Sequence, residues 1–293
     1  MRRVAIIGST GQLGSDLVEA FRAEEVTGLT HEDLDIRDHA AVRAMLERLR
    51  PTVVVNAAAF HNVPRCETAE EDAFAVNATA AGRLARTCTA MAARLVHVST
   101  DYVFDGAKRA PYVETDPPNP LNIYGISKLA GEYAVLNAGG DHQIVRSSGL
   151  YGIRPCRAKG GNFIDTMFRL AAEREEVRVV DDEVLTPTFT ANLAEQIRTL
   201  AFEGPPGLYH ATNQGSCSWF EFAEAIFELG RLRTPLRPTS VAEFAAPVKR
   251  PFYSVLDNAA LRAVGLDRMP PWRAALADYM RRRLGEDRTA AST

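Results

Sequence analysis

Val4-Ala5-Ile6-Ile7-Gly8-Ser9-Thr10-Gly11-Gln12-Leu13-Gly14 opens the chain with a short apolar run, a GxxGxxG turn and the start of a helical pattern carried on by Leu17 and Phe21. A continuous run of four apolar residues suits a strand covered on both faces. Glycines let the turn be tight. They let backbone N–H groups approach a pyrophosphate and let the helix pack closely on the strand. The helix N-terminus adds a favourable partial charge for an anion. Such a turn can exist without a ligand, but the strand before it and the helix after it favour a phosphate site. Gly8, Thr10, Gly11, Gln12, Leu13 and Gly14 are therefore candidate cofactor contacts.

The alternation continues outward from this unit. Residues 26–29 read as a second strand, and Asp38 is a good cap for a helix over 39–50 that Pro51 stops. Val53-Val54-Val55 is a third strand running into Asn56-Ala57-Ala58-Ala59. Residues 70–93 are helical, 95–99 a fourth strand, 123–136 a helix and 144–146 a fifth strand. Strands and helices alternating at this length give right-handed βαβ units and a parallel sheet. After about Gly149 the pattern loosens. Residues 177–180 and 208–211 look like strands, and 190–202 and 219–229 like helices. The stretch 231–253 carries four prolines and little periodicity. The spacing predicts an α/β protein: residues 1–148 as a nucleotide-binding domain, with returning pieces near 177–202, and 149–293 as a smaller α/β lobe closing over the sheet.

Bulk composition narrows the partners. The chain has 293 residues, 46% hydrophobic and 24% charged, enough for one large unit or two lobes sharing a core. A formal net charge of −3 gives no reason to expect nucleic acid or an anionic membrane. The four cysteines are scattered with no CxxC, as in a reduced cytosolic protein, and the histidines show no metal spacing. No metal is expected. No segment approaches the roughly 18 apolar residues of a membrane span. The expectation is a cytoplasmic protein.

Tyr124 and Lys128 stand four residues apart in Tyr124-Gly125-Ile126-Ser127-Lys128. On a helix they share a face. A phenol titrates near ~10, so proton transfer at neutral pH needs roughly 3 units, or ~4 kcal/mol, of help from a neighbouring cation. YxxxK alone is a weak motif that often marks only a solvated face. Here the fourth strand also delivers Ser99-Thr100-Asp101-Tyr102 to the sheet edge where ligands bind in open α/β folds. A hydroxyl at Thr100 can hold a substrate carbonyl oxygen and share in proton transfer, although strand-end hydroxyls commonly satisfy nearby backbone. Beyond the second strand no carboxylate is clearly placed for an adenosine ribose, and no arginine for a 2′-phosphate. NADPH and NADH both stay open. Asp35 and Ile36 either flank the adenine or belong to ordinary capping.

With these residues in view, the chain resembles the extended short-chain dehydrogenase/reductases and, within them, the dTDP-4-dehydrorhamnose reductase group. The resemblance rests on GSTGQLG from Gly8, LDI from Leu34, NAAA from Asn56, STDYVFDG from Ser99, PLNIYGISKLAGE from Pro120, GGNF from Gly160 and RPFYSVLDN from Arg250. It covers nearly the whole length. It implies a Rossmann-type doubly wound sheet for NAD(P)H and a C-terminal lobe for a dTDP-linked 4-keto-6-deoxy sugar, in a monomer or homodimer. Carried over, Tyr124 is the general acid, Lys128 holds the nicotinamide ribose and tunes Tyr124, and Thr100 completes the triad. Ala57, Ala58 and Ala59 line the cofactor, and Thr100, Asp101 and Asn162 meet the substrate. The implied reaction is dTDP-4-dehydro-L-rhamnose to dTDP-L-rhamnose.

The chain departs from the group in places. Pro64 and Arg65 replace an Asp-Lys pair beside the expected sugar pocket, and Gly149 replaces a tryptophan expected to border the sugar, removing an apolar wall. Asp16 matches one member of a magnesium-binding acidic cluster found in some of the group, with no partners placed. Arg154, Arg157 and Lys159 form a basic loop suited either to a diphosphate or to solvent. His61 reads as a pocket-wall residue, His97 as a satisfied core histidine, and Asn77 as exposed or bonded to a neighbouring loop. Three other functions stay open: a 4-ketoreductase of another dTDP-deoxysugar, an epimerase or dehydratase that retains NAD, and a non-catalytic regulatory partner of methionine adenosyltransferase. Joint retention of Thr100, Tyr124 and Lys128 speaks against the last.

Overall fold

The computed structural model describes residues 2–154, 160–244 and 248–285. Six strands, β1 (Arg3–Ile7), β2 (Glu25–Leu29), β3 (Val53–Asn56), β4 (Arg94–Thr100), β5 (Gln143–Ser147) and β6 (Gly207–His210), form one parallel sheet. Their order is β6-β5-β4-β3-β1-β2. Alternate side chains leave by opposite faces, and both faces are covered. Val4, Ile6, Val53 and Val55 pack with Leu13, Leu17, Leu193, Ile197 and Leu200 on one side. Ala5, Ile7, Val54, Leu95 and Ile144 pack with Val42, Leu46, Leu84 and Val135 on the other. This double covering explains why the strands read as unbroken apolar runs.

β1 lies between β2 and β3, so the chain leaves it first to one side and then to the other. That reversal opens a crevice at the C-terminal ends of β1 and β3, where doubly wound sheets bind ligands. The glycine turn and Asn56-Ala57-Ala58-Ala59 border it. Close approach is enforced at Gly14 of the first helix (Gln12–Ala20), where an added Cβ would lie 2.0 Å from the Gly8 carbonyl oxygen.

The long helical stretch after Glu70 is interrupted. It runs as Glu70–Phe74, a π-helical segment Ala75–Ala80, and Ala81–Ala90. At the π segment Asn77 is buried. It accepts from the Phe60 N–H (2.9 Å) and donates to the Phe60 carbonyl (3.0 Å) and to Ser127 Oγ (3.0 Å). It is thus one of the π distortions that mark functional neighbourhoods, tying the loop after β3 to the helix Ile123–Leu136.

A second cluster, rich in aromatic rings, gathers Tyr151, Phe189, Phe222, Trp272 and Tyr279. The helices Phe163–Glu173, Trp219–Gly230 and Trp272–Leu284 build it. Of the pieces expected to return near 177–202, Thr190–Glu203 does pack on the main sheet. Val177–Val180 does not: it pairs with Leu236–Thr239, because Val177 and Val179 face the aromatic cluster. The sixth sheet strand, β6, comes later still.

Gly14→Ala is expected to lower stability by about 1–3 kcal/mol, the usual range for overpacking. Urea unfolding should show this, with weakened dinucleotide binding in the folded fraction.

Candidate active site

The helix Gln12–Ala20 begins with no side chain capping it, leaving its first N–H groups turned to the crevice. A Cβ at Gly8 would lie 3.0 Å from the Ala58 nitrogen, so the turn and Ala57-Ala58 form a close cradle. These residues fit a dinucleotide pyrophosphate. Gln12 has a further task, since its Nε2 donates to the carbonyls of Gly152 (3.3 Å) and Arg154 (3.1 Å) across to the second lobe. Asp35 is held by Arg37 at 2.7 Å, and hydrogen bonding from Arg37 pulls its carboxyl down to about 2. Ile36 is buried.

Thr100, Tyr124 and Lys128 come together where β4 ends under the helix Ile123–Leu136. Asn122 caps that helix, its Oδ1 accepting from the Gly125 N–H at 2.9 Å while its Nδ2 donates to the Lys249 carbonyl at 3.0 Å. Gly125 allows the helix to sit against β4's end, since a Cβ there would be 2.2 Å from the Tyr102 carbonyl oxygen. The Thr100 hydroxyl lies beside the Tyr124 phenol and pulls its pKa downward. Thr100 Oγ1 in turn donates to Asp101 Oδ1 (3.0 Å) and accepts from the Tyr102 N–H (3.2 Å). The Tyr102 and Tyr124 rings meet edge to face at 5.7 Å.

Lys128 is 1% exposed and donates from Nζ to the Val98 carbonyl at 2.6 Å. Burial pulls its ammonium down to about 8, against an opposing pull from Glu132. It therefore stays protonated at neutral pH. Burial also holds the Tyr124 phenol well above its ordinary range, and Thr100 only partly offsets this. In the chain alone burial governs the phenol, and Lys128 is not among the groups that shift it. Asp101 is buried too, with its carboxyl raised by burial against the downward pull of Ser254, Ser148 and Thr100. Ser148 Oγ donates to its Oδ2 at 2.8 Å.

Asn162 lies in the second lobe. Its Oδ1 caps the helix Phe163–Glu173 by accepting from the Asp165 N–H (3.0 Å), and its Nδ2 donates to the Gly152 carbonyl (3.0 Å) and to the Tyr279 hydroxyl (3.3 Å). Pro64 and Arg65 fall in the first turn of the helix Val63–Thr68, where proline fits, and Arg65 covers the Phe60 ring at 5.3 Å. Gly149 has φ +55°, and a Cβ there would meet Leu185 Cδ1 at 2.7 Å and the Thr186 carbonyl oxygen at 3.0 Å. The segment Leu185-Thr186-Pro187 thus closes on the position expected to carry an indole.

Asp16 accepts from Thr190 Oγ1 at 2.5 Å, and burial raises its carboxyl. Among the described residues no group of three or more His, Cys, Asp or Glu could hold a metal ion. Arg157 and Lys159 of the basic loop lie outside the described residues. His61 contacts the Ala59 carbonyl at 3.3 Å, beside the cradle. His97 is not fully satisfied: Nδ1 meets Asn56 Nδ2 at 3.1 Å, but Nε2 has no hydrogen-bond partner among the described residues.

Reading the sequence missed a buried group behind Lys128. Ser99 Oγ donates to Glu132 Oε1 (2.5 Å), and Arg146 grips the same carboxylate from Nε (2.9 Å) and Nη2 (2.6 Å). Its signal was available in Lys128 and Glu132, spaced i and i+4 like Tyr124 and Lys128.

A switch-point crevice with an open helix end, and a Thr–Tyr–Lys group at its edge, define the extended short-chain dehydrogenase/reductase class. The particular family follows from comparison. A family model described as RmlD substrate binding domain matches residues 1–284, and the chain belongs to that family. It is 40% identical to the spore coat polysaccharide biosynthesis protein SpsK of Bacillus subtilis, over 97% of this chain and 98% of that one. It is 42% identical to a dTDP-4-keto-6-deoxy-D-glucose reductase of Streptomyces niveus, over 94% and 95%. The crystal structure of dTDP-4-dehydrorhamnose reductase from Bacillus anthracis in complex with NADP superposes with a TM-score of 0.90 at 39% identity, covering 95% of this chain and 99% of that one.

Lys128 gives a stability test with a defined sign. Its folded value of about 8 lies below the ordinary 10.5, so the stability associated with its neutral form is present above 10.5 and lost as pH falls through about 8. At pH 7 the fold carries a buried cation. Lys128→Met should raise stability at pH 7 by about 1–3 kcal/mol, the gain fading as pH climbs from 8 to 10.5. Urea midpoints across that range measure it.

Proposed function

We propose that the protein reduces the C4 ketone of a nucleotide-activated 4-keto-6-deoxy sugar, taking dTDP-4-dehydro-L-rhamnose to dTDP-L-rhamnose with NADPH or NADH. The observation that carries this reading is the meeting of Thr100, at the end of β4, with Tyr124 and the buried Lys128 on the helix Ile123–Leu136. The uncapped helix start and the Gly8–Ala58 cradle fit the dinucleotide, with Thr10, Gly11, Gln12, Leu13, Gly14, Ala57, Ala58 and Ala59 around it and Asp35 and Ile36 towards the adenosine. Bound there, the reduced nicotinamide supplies a hydride.

The chain's own residues then manage one proton. Tyr124 donates it to the oxygen of the former ketone. The positive charge of Lys128 lowers the cost of the tyrosinate left behind, and Thr100 shares in holding the oxygen. Asp101 orients Thr100 through its hydrogen bond. Asn162 serves the substrate indirectly, by shaping the Gly152 backbone. Residues 1–148, with the returning helix and β6, hold the cofactor, and the aromatic-cored lobe holds the nucleotide sugar. Every residue invoked lies on one chain, so a monomer suffices and a homodimer would repeat the site.

No helix among the described residues is long and apolar enough to cross a membrane. Cys66, Cys88 and Cys217 are buried. Both facts accord with a cytoplasmic site of action. A second reading, reduction of another dTDP-4-keto-6-deoxy sugar, is favoured by the occupied Gly149 position. It is also favoured by likeness to the Streptomyces niveus enzyme.

Tyr124→Phe is expected to lower turnover by at least about 100-fold, the lower end of general acid catalysis, with dinucleotide affinity nearly unchanged. Dinucleotide oxidation with each dTDP-4-keto sugar, and NMR of the product, separate the two readings. A Tyr124→Phe enzyme that kept most of its rate would overturn the proton-donor assignment.

A further inference from the structure

The group behind Lys128 spans three neighbouring strands and one helix. Ser99 on β4 is paired in register with Arg146 on β5, and Arg146 with His210 on β6. Glu132 comes down onto this row from the helix above, one turn beyond Lys128. Arg146 and Glu132 are 3% and 2% exposed at their side chains, so the ion pair is shut off from water. Both carboxylate oxygens of Glu132 are taken by Arg146, and one of them also by Ser99. Arg146 Nη1 and His210 Nε2 have no hydrogen-bond partner among the described residues.

Two buried cations therefore share one nearby carboxylate, and Arg146 holds it directly. In so dry a place the attraction between Lys128 and Glu132 is weakly screened, and the Arg146 cation seated on the same carboxylate offsets part of it. Other ionisable groups facing Lys128 and Tyr124 are His97 on β4, Asp101 at the end of β4, Tyr102 just beyond it and Cys66 on Val63–Thr68. Burial keeps His97 neutral through the working range.

We propose that Glu132 is a positioning residue for the reduction, holding the charge on Lys128, and that Arg146 sets how much of that carboxylate's field Lys128 receives. The inference rests on the reductase reading for its catalytic meaning, but the charge coupling itself is independent of substrate. If the pair served only to pack and exclude water, loss of either partner would admit solvent and move the Lys128 titration upward in both cases. A tuning pair responds with opposite signs.

The chain has four lysines, Lys108, Lys128, Lys159 and Lys249. The Lys128 ammonium can therefore be followed directly by NMR titration of protein carrying 13C at lysine Cε. Glu132→Gln should move its titration down by about 1 pH unit, and Arg146→Gln should move it up by a comparable amount. The alkaline limb of the pH–rate profile for dinucleotide oxidation should shift the same way in each case. Removal of one partner of a buried pair threatens folding. Arg146→Lys, which keeps the cation but loses the two-point grip, is the milder variant and should move the titration up by a smaller amount. Shifts of the same sign in Glu132→Gln and Arg146→Gln, or no upward movement in Arg146→Lys, would overturn the proposal. Opposite shifts in a protein that reduces no dTDP-4-keto sugar would instead leave the coupling standing and remove the reductase reading.

Discussion

A charged lysine enclosed by protein is costly to maintain, and much of the architecture around β4 can be understood from that one constraint. Lys128 reaches its single carbonyl partner, Val98, only because the helix Ile123–Leu136 lies close on the strand end. Gly125 against the Tyr102 carbonyl and Gly131 against the Asn77 carbonyl permit the approach. Asn122 fixes where the helix begins, and Ser127 and Asn77 tie it to the loop after β3. The phenol of Tyr124 is placed by the same docking. Thr100 stands beside it and gives its own proton to Asp101.

The same interior polar contacts also join the two lobes. Asp101 takes a hydrogen bond from Ser148, just after β5, and Ser254 of the C-terminal segment helps to lower its pKa. Asn122 reaches the Lys249 carbonyl. Asp16, on the first helix, receives Thr190, which also donates to the Tyr151 carbonyl. Gln12 belongs to the phosphate turn, yet its amide is spent on Gly152 and Arg154. The phosphate turn and the second lobe are thus joined directly through one side chain.

Much of this was legible in the chain because period and chemistry agreed. The apolar runs at Val53-Val54-Val55 and around Ile144 announced a sheet buried on both sides. The glycine spacing at Gly8, Gly11 and Gly14 announced the turn, and Asp38 caps its helix as expected, accepting from the Ala41 N–H. What escaped notice was set by tertiary packing. The helix Phe163–Glu173 follows a loop rich in glycine and basic residues, and its clearest mark was the reciprocal cap between Asn162 and Asp165. The helix Trp272–Leu284 follows two prolines and has arginines along its last turn, so its pattern is faint until Trp272, Leu276 and Tyr279 are seen to share one buried face. The π segment could not be read from spacing, because it spans only Ala75–Ala80, too short for its wider turn to leave a periodic mark. The ion pair of Glu132 and Arg146 joins a helix and a strand, and only the docking of that helix on the sheet brings them into contact.

Gly149 shows how a missing ring can be compensated elsewhere in the chain. Its left-handed backbone and the pressure of Leu185, Thr186 and Pro187 make the two loops a single fitted unit. Restoring an indole by exchanging one codon would find no room for it. Anyone wishing to transplant the pocket of a relative into this scaffold, or the reverse, has to move both loops together.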